Sequence, residues 1–218
     1  LHAGLHAGQG CKTAEHAVGA LVNLSFLEKA RMPIVQAGAV ALIVALLRTA
    51  PKASNEIVLT NAAKLVGNLA QTYAGIDSLQ KAGAIVPLVS LLGAAPVIAD
   101  AAANALCNLS YDPEAKKDVY HAEIREAGAI PALVALLDGE TAYNAVCALC
   151  NLASDAAGTA AIRSAGAIVP LVALLQAAKV ETAERAAAAL FNMALEDQQS
   201  DPAILAALAA RPPPPPHD

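Results

Sequence analysis

The chain has 218 residues, 14 lysines and arginines against 19 aspartates and glutamates, and a formal net charge of −5. That acidic balance leaves no basic field to gather phosphates and sets nucleic acid aside as the main partner. Apolar residues make up 56% of the chain while aromatics make up 3% and Trp is absent, so a sizeable interior must be filled by Ala, Leu, Val and Ile on closely approaching helices.

The chain opens on a Leu-His-Ala-Gly duplication with neither an initiator Met nor a basic leader, so no signal peptide is expected and the chain reads as a fragment or processed product. His2 and His6 stand four residues apart there. With no third ligand the pair reads as a disordered end rather than a metal site. From there Ala-Gly-Ala-(Ile/Val) recurs at Ala37-Gly38, Ala82-Gly83, Ala127-Gly128 and Ala165-Gly166. Each copy opens an apolar decapeptide ending Leu-Leu, at residues 38–47, 83–92, 128–137 and 166–175. Each decapeptide is apolar on nearly every side, as a helix sandwiched between neighbours must be. Pro87, Pro131 and Pro170 fall near the starts, where a missing N–H costs nothing. A short amphipathic piece precedes each Ala-Gly, for example at residues 75–81 and 158–164.

Downstream of each decapeptide an Asn-Leu or Asn-Met recurs. Asn23, Asn68, Asn108, Asn151 and Asn192 lie 45, 40, 43 and 41 residues apart. A period near 40 marks units that cannot bury their own apolar face and therefore stack into a solenoid. At about 100° per residue, four positions around each asparagine fall on one face. They are Ala17, Ala62, Ala102, Ala145 and Ala186, then Ala20, Leu65, Ala105, Ala148 and Ala189. Leu21, Val66, Leu106, Leu149 and Leu190 come next, and Leu24, Leu69, Leu109, Leu152 and Met193 complete the set. This face is the expected core stripe, with the asparagine at its border. The reading gives three helices per unit, with a partial first unit at 1–30, full units at 31–72, 73–110, 111–154 and 155–196, and a partial last unit at 197–210.

The array is not uniform. Asn108 stands 20 residues from the next turn glycine, Gly128, where the other units have 15; the extra five fall around residues 111–121 and read as a solvated loop. Leu47 to Asn68 spans 21 residues but Leu137 to Asn151 only 14. Asp201-Pro202-Ala203 looks like a helix cap and start, and the prolines at 212–216 make residues 211–218 a Pro-rich tail in polyproline II form. A mean hydropathy of +0.49 raises the membrane alternative, but the longest apolar stretch, 82–99, is broken by Pro87, Gly93 and Pro96. A spanning helix needs about 20 uninterrupted apolar residues, so no integral membrane segment is expected. Cys11, Cys107, Cys147 and Cys150 make no secreted disulfide framework, which places the chain inside the cell, in the cytoplasm or nucleus. The Cys147-x-x-Cys150 pair falls mid-helix and reads as packed thiols.

The phrase Gly-Ala-Ile-Pro-Ala-Leu-Val-Ala-Leu-Leu at 128–137, followed by Tyr-Asn-Ala-Val-Cys-Ala-Leu-Cys-Asn-Leu-Ala at 143–153, closely resembles the armadillo repeat. The resemblance covers nearly the whole chain and implies an all-α, right-handed α-solenoid of about four full repeats with partial units at both ends. Residues 14–25 and 184–194 look similar to the armadillo arrays of plant U-box ubiquitin ligases and of vacuolar adaptors. In the family the third helices line a concave groove, and their asparagines clamp the backbone of an extended peptide. That resemblance nominates Asn23, Asn68, Asn108, Asn151 and Asn192 as partner-binding. Asn61, Lys64, Asn104, Asn144 and Arg185 join them on the same predicted face, beside Cys147. A primary amide offers both donor and acceptor, so a ladder of them can pair an extended backbone. The alternative is structural: each asparagine ties adjacent repeats together.

Nuclear-import receptors of this family carry Trp four residues before many of these asparagines; here those positions are Gly19, Lys64, Asn104, Cys147 and Ala188. Recognition of a basic localisation signal is therefore not expected, and neither is a strongly basic groove of the beta-catenin type. No phosphate loop, nucleophile elbow or zinc-protease motif occurs, so neither catalysis nor a cofactor is expected. The expected function is a scaffold or adaptor that binds a partner polypeptide. Alternatives are the substrate-recognition region of a ubiquitin ligase, a spacer self-associating through its open ends, and a membrane-surface adaptor.

Overall fold

The computed structural model describes residues 2–49, 51–111, 117–139, 141–196 and 202–209. They form helices throughout. Five carry the asparagines: α1 (His2–Ser25), α4 (Glu56–Leu69), α7 (Pro96–Ser110), α10 (Ala142–Leu152) and α13 (Val180–Glu196). Between them run short pairs, α2 (Glu28–Gln36) with α3 (Ala39–Leu47), α5 (Tyr73–Lys81) with α6 (Ile85–Leu91), α8 (Lys117–Glu126) with α9 (Ala129–Val134), and α11 (Ala156–Ser164) with α12 (Ile168–Leu174). A final helix, α14 (Pro202–Ala209), packs on α12 and α13. The long helices stack in the order α1, α4, α7, α10, α13, each against the next. This is an α-solenoid.

The recurring Ala-Gly is the hinge of each short pair. Gly38, Gly83, Gly128 and Gly166 adopt φ between 69° and 77°, a left-handed conformation that a Cβ would strain. After Gly83 and Gly166 the next N–H closes back on the carbonyl five residues earlier, Ala84 to Leu79 at 3.1 Å and Ala167 to Ile162 at 3.3 Å. These are Schellman closures, which end one helix and aim the chain into the next. The axes of α2 and α3 turn by 87°, those of α11 and α12 by 92°. Among the described residues no single helix is long and apolar enough to cross a membrane. The prolines of α6, α9 and α12 all stand at the third helical position, where the N–H has no partner within the helix. Thr72 and Asp155 cap α5 and α11 by accepting from the backbone N–H of Gly75 and Gly158.

In α4, α7, α10 and α13 the predicted stripe is buried at every position, with no residue of it more than 1% exposed. In α1 it is not. Ala17, Ala20 and Leu24 are exposed and Leu21 is half-buried, while Val18, Val22 and Ser25 are the buried residues. The later stripes are covered by the short helices of their own unit, and among the described residues α1 has no such pair. Helix α1 nevertheless begins at His2, so the end of the chain expected to be disordered is helical; Ala at positions 3, 7, 14, 17 and 20 favours that.

The shortened connection before Asn151 leaves α10 with 11 residues, against 14 in α4, 15 in α7 and 17 in α13. The longer one before Asn68 holds a 3-10 turn at Ala53–Asn55. Of the insertion at 111–121, residues 112–116 lie outside the described residues. Its end is no solvated loop: Tyr120 and His121 are fully buried in α8. The predicted cap Asp201 and the Pro-rich tail 211–218 also lie outside the described residues.

Candidate functional site

The asparagine ladder lies along the stacked long helices, and its first task is internal. Asn108 Nδ2 donates to the Gly67 carbonyl at 2.9 Å, Asn151 Nδ2 to the Cys107 carbonyl at 3.0 Å, and Asn192 Nδ2 to the Cys150 carbonyl at 3.1 Å. Each acceptor is the residue just before the asparagine of the preceding unit. Where serine stands two residues after that asparagine it joins in: Asn68 Nδ2 donates to Ser25 Oγ at 2.8 Å, and Asn151 Nδ2 also to Ser110 Oγ at 3.1 Å. A carbonyl accepts only from the nitrogen, so the amide oxygen is not used in the tie. Asn23, exposed on α1, has no preceding long helix among the described residues to donate to.

A second row runs beside the first. Asn104 Nδ2 donates to Asn144 Oδ1 at 3.2 Å, and Asn144 Nδ2 donates to Asp100 Oδ1 at 2.8 Å. Asn104 can lie flat on α4 because Gly67 offers no side chain: a Cβ there would stand 2.8 Å from Asn104 Oδ1. The two rows enclose a cavity of about 310 Å3 between α7, α10 and α13, lined by Asn104, Cys107, Asn108, Tyr111, Tyr143, Asn144, Cys147, Asn151 and Arg185. Five of the ten predicted partner-binding residues meet here, together with Cys147. The other five do not. Asn61 sits half-buried on α4, its amide near Gly19 of α1; Lys64 is exposed on α4; Asn23, Asn68 and Asn192 lie at the neighbouring steps of the ladder.

Tyr111, Tyr143 and Cys107 line the cavity without having been singled out. Tyr143 stands four residues before Cys147 on the same helical face, and that spacing was the available signal. Tyr143 also heads the short helix α10, whose missing turn opens a wider cleft of about 910 Å3 around Asp100, Tyr143, Asn144, Lys179 and Glu181. The two hollows share Tyr143 and Asn144 and so adjoin at this step of the array.

The chemistry is also concentrated there. The Cys147 thiol, 7% exposed, is held down to about 7 by a hydrogen bond from Cys107, against the opposing effect of burial, with help from the Arg185 guanidinium and the Tyr143 hydroxyl. Cys107 is driven far up by the same hydrogen bond and by its own burial. Arg185 is exposed and lines the cavity with Tyr143; the negative charge of Cys147 beside it pushes the guanidinium further up. Cys150 points elsewhere: its Sγ lies 3.8 Å from Asn192 Nδ2 toward α13, and burial raises it.

A second polar cluster lies between α8 and α11, outside this cavity. Buried His121 places Nδ1 2.8 Å from Asp155 Oδ2 and Nε2 2.9 Å from the Ser110 carbonyl, and Arg125 Nη1 reaches Asp155 at 3.1 Å. Burial raises the Asp155 carboxyl, but the Gly158 N–H, His121 and Arg125 outweigh it and hold it below the ordinary carboxylate value. The cluster joins α7, α8 and α11 and is structural.

Comparison with known proteins agrees with this architecture. The family model for the armadillo/beta-catenin-like repeat matches residues 155–195. No curated protein matches the chain. Among solved structures, a designed armadillo repeat protein is 29% identical at a TM-score of 0.76, covering 91% of this chain and 93% of its own. Computationally designed armadillo repeat proteins for modular peptide recognition are 30% identical at a TM-score of 0.77, covering 89% and 82%. A further designed armadillo repeat protein, in complex with the peptide (KR)4, is 29% identical at a TM-score of 0.74, covering 89% and 79%. With the repeated glycine hinges, the stacked long helices and the asparagine ladder, these likenesses establish that the chain belongs to the armadillo repeat family.

Proposed function

We propose that the chain is a protein–protein interaction scaffold that holds an extended segment of a partner polypeptide across α7, α10 and α13. The observation that carries this is the cavity where Asn104, Asn108, Asn144, Asn151, Tyr111, Tyr143 and Arg185 converge. The amide oxygens of Asn108 and Asn151, not used in the ties between repeats, can accept from a peptide backbone, and two tyrosines supply flat apolar area with little rotamer entropy to lose. The designed relative bound to (KR)4 has a lysine–arginine ligand. Here Arg185 stands in the smaller hollow, so the part of the segment lying over it is favoured neutral or acidic, while the adjoining cleft carries both signs in Asp100, Lys179 and Glu181.

Asn108 and Asn151 also tie repeats together, so replacing them confounds binding with stability. Tyr143→Ala and Arg185→Glu avoid this, since neither residue makes those ties. Peptides selected from a random display library on the wild-type chain should lose at least about tenfold in affinity for the double variant, a difference of about 1.4 kcal/mol. Far-UV circular dichroism and Tm should stay unchanged. Equal binding to both forms places the partner surface elsewhere.

A further inference from the structure

Two thiols, Cys107 and Cys147, line the groove beside the residues assigned to peptide binding. Cys107 and Cys147 come from adjacent long helices, α7 and α10, and both line the cavity, at the same offsets from their asparagines that bring Gly67 against Asn104 one step earlier in the stack. Helices so rich in alanine approach closely there: Ala102, Ala105, Ala145 and Ala148 are all buried between or beside them. Tyr143 and Arg185 line the same cavity, and the guanidinium and the phenol hydroxyl both favour negative charge on Cys147. A hydrogen-bond donor, a guanidinium and a second thiol around one sulfur, open to a solvent-reached hollow, is the environment of a reactive thiolate.

We infer that Cys147 and Cys107 form a redox-modifiable pair in which a hydroperoxide oxidises Cys147 and Cys107 then closes a disulfide between adjacent repeats. The Cys147 thiolate attacks the peroxide oxygen, the O–O bond breaks, and hydroxide or alkoxide leaves with the electron pair, giving a sulfenic acid. The Cys107 sulfur then attacks the Cys147 sulfur, the S–O bond breaks, and water leaves with the Cys107 proton. Two thiols lose two electrons in all, and the peroxide gains them. Cys107 is a poor nucleophile at rest because its hydrogen bond to Cys147 keeps it protonated. Oxidation of Cys147 removes that partner's charge, and Cys107 becomes free to ionise. The Cys147-x-x-Cys150 motif is not the redox couple, because the Cys150 sulfur faces Asn192.

The pair is tested on the purified chain, folded and reduced, by treatment with hydrogen peroxide, alkylation of remaining thiols and non-reducing peptide mapping. The expected product is a Cys107–Cys147 cross-link that dithiothreitol reverses. In Cys107→Ser, Cys147 should instead persist as a sulfenic acid trapped by a cyclic 1,3-diketone, while Cys150→Ser should leave the cross-link unaltered. Without peroxide, iodoacetamide should modify Cys147 about tenfold faster than Cys150 at neutral pH, with a rate that rises through about pH 7. Arg185→Gln should shift that rise upward. If Cys147 reacts no faster than Cys150, or if peroxide yields no Cys107–Cys147 link, the inference is overturned. These readouts are covalent and stand apart from whether the groove holds a peptide.

Discussion

Helices α1 and α7 have the same residues at the four stripe positions around their asparagines, Ala, Ala, Leu and Leu, but live in different surroundings. Leu24 and Leu109 both follow an asparagine directly; Leu24 is 49% exposed and Leu109 1%. The stripe they belong to is buried by the short helices of its own unit, present for α7 as α5 and α6 and not found for α1 among the described residues. The opposite edge shows the same rule at the other end of the described array. The residue just before each asparagine faces the next long helix, so Gly67 is buried against α7, whereas Phe191 of α13 meets no further long helix and stays 54% exposed. In a solenoid a residue's burial is set by its neighbouring unit as much as by its own sequence.

The largest test of this contrast is a matched pair of truncations. Leu109→Ala should destabilise the chain by about 2–5 kcal/mol, since it leaves a cavity in a packed layer, while Leu24→Ala should cost no more than about 0.5 kcal/mol. Urea unfolding of both variants measures the difference; equal costs would mean that α1 is covered as fully as α7. The next test removes the ladder's amides. Asn108→Ala deletes the bond to the Gly67 carbonyl and should cost about 1–2 kcal/mol, whereas Asn23→Ala has no such bond to lose and should be near neutral. An Asn108 variant as stable as the Asn23 variant would show that the tie contributes nothing.

Much of this contrast was legible in the sequence, and its limits have physical causes. The Ala-Gly spacing and the asparagine register located every long helix, and the helical wheel gave the stripe correctly for α4, α7, α10 and α13. It failed in α1 because periodicity says which residues share a face and nothing about what covers that face. The lining of the candidate hollow was half legible. Asn104, Asn108, Asn144, Asn151 and Arg185 share one hollow, but Tyr111, Tyr143 and Cys107 were missed because the groove was read as a row of amides at fixed offsets. The inward donation of the ladder was foreseen only as an alternative: a lone sequence cannot tell which of an amide's donors and acceptors a neighbour will use. The insertion at 111–121 misled through its charges, since the buried Tyr120 and His121 lie just beyond the charged run.

A smaller effect compares the two capped short helices. Thr72 and Asp155 occupy the same place before α5 and α11, but only Asp155 also holds Arg125 and His121. Because the folded-state carboxyl of Asp155 lies below its ordinary value, its contribution is complete above the ordinary carboxylate range and is lost as pH falls through that range and below. Asp155→Asn should cost about 1 kcal/mol at neutral pH and flatten the acid limb of the stability profile. Thr72→Ser should leave that limb unchanged. An acid limb that survives in Asp155→Asn would assign it to other carboxylates.

The smallest effect is carried by two glycines within helices. Glycine in a helix interior costs up to about 1 kcal/mol relative to alanine, so replacing it is a gain wherever a Cβ fits. At Gly19 in α1 a Cβ would meet Asn61 Nδ2 of α4 at 3.7 Å, an ordinary contact. At Gly67 in α4 it would stand 2.8 Å from Asn104 Oδ1 and 3.6 Å from Asn108 Nδ2. Gly19→Ala should therefore raise Tm, while in Gly67→Ala the propensity gain is offset by displacement of Asn104 from its bond to Asn144. A Gly67→Ala variant that gains as much as Gly19→Ala, with peptide affinity intact, would mean that Asn104 moves at no cost and that the second row of amides does not shape the groove.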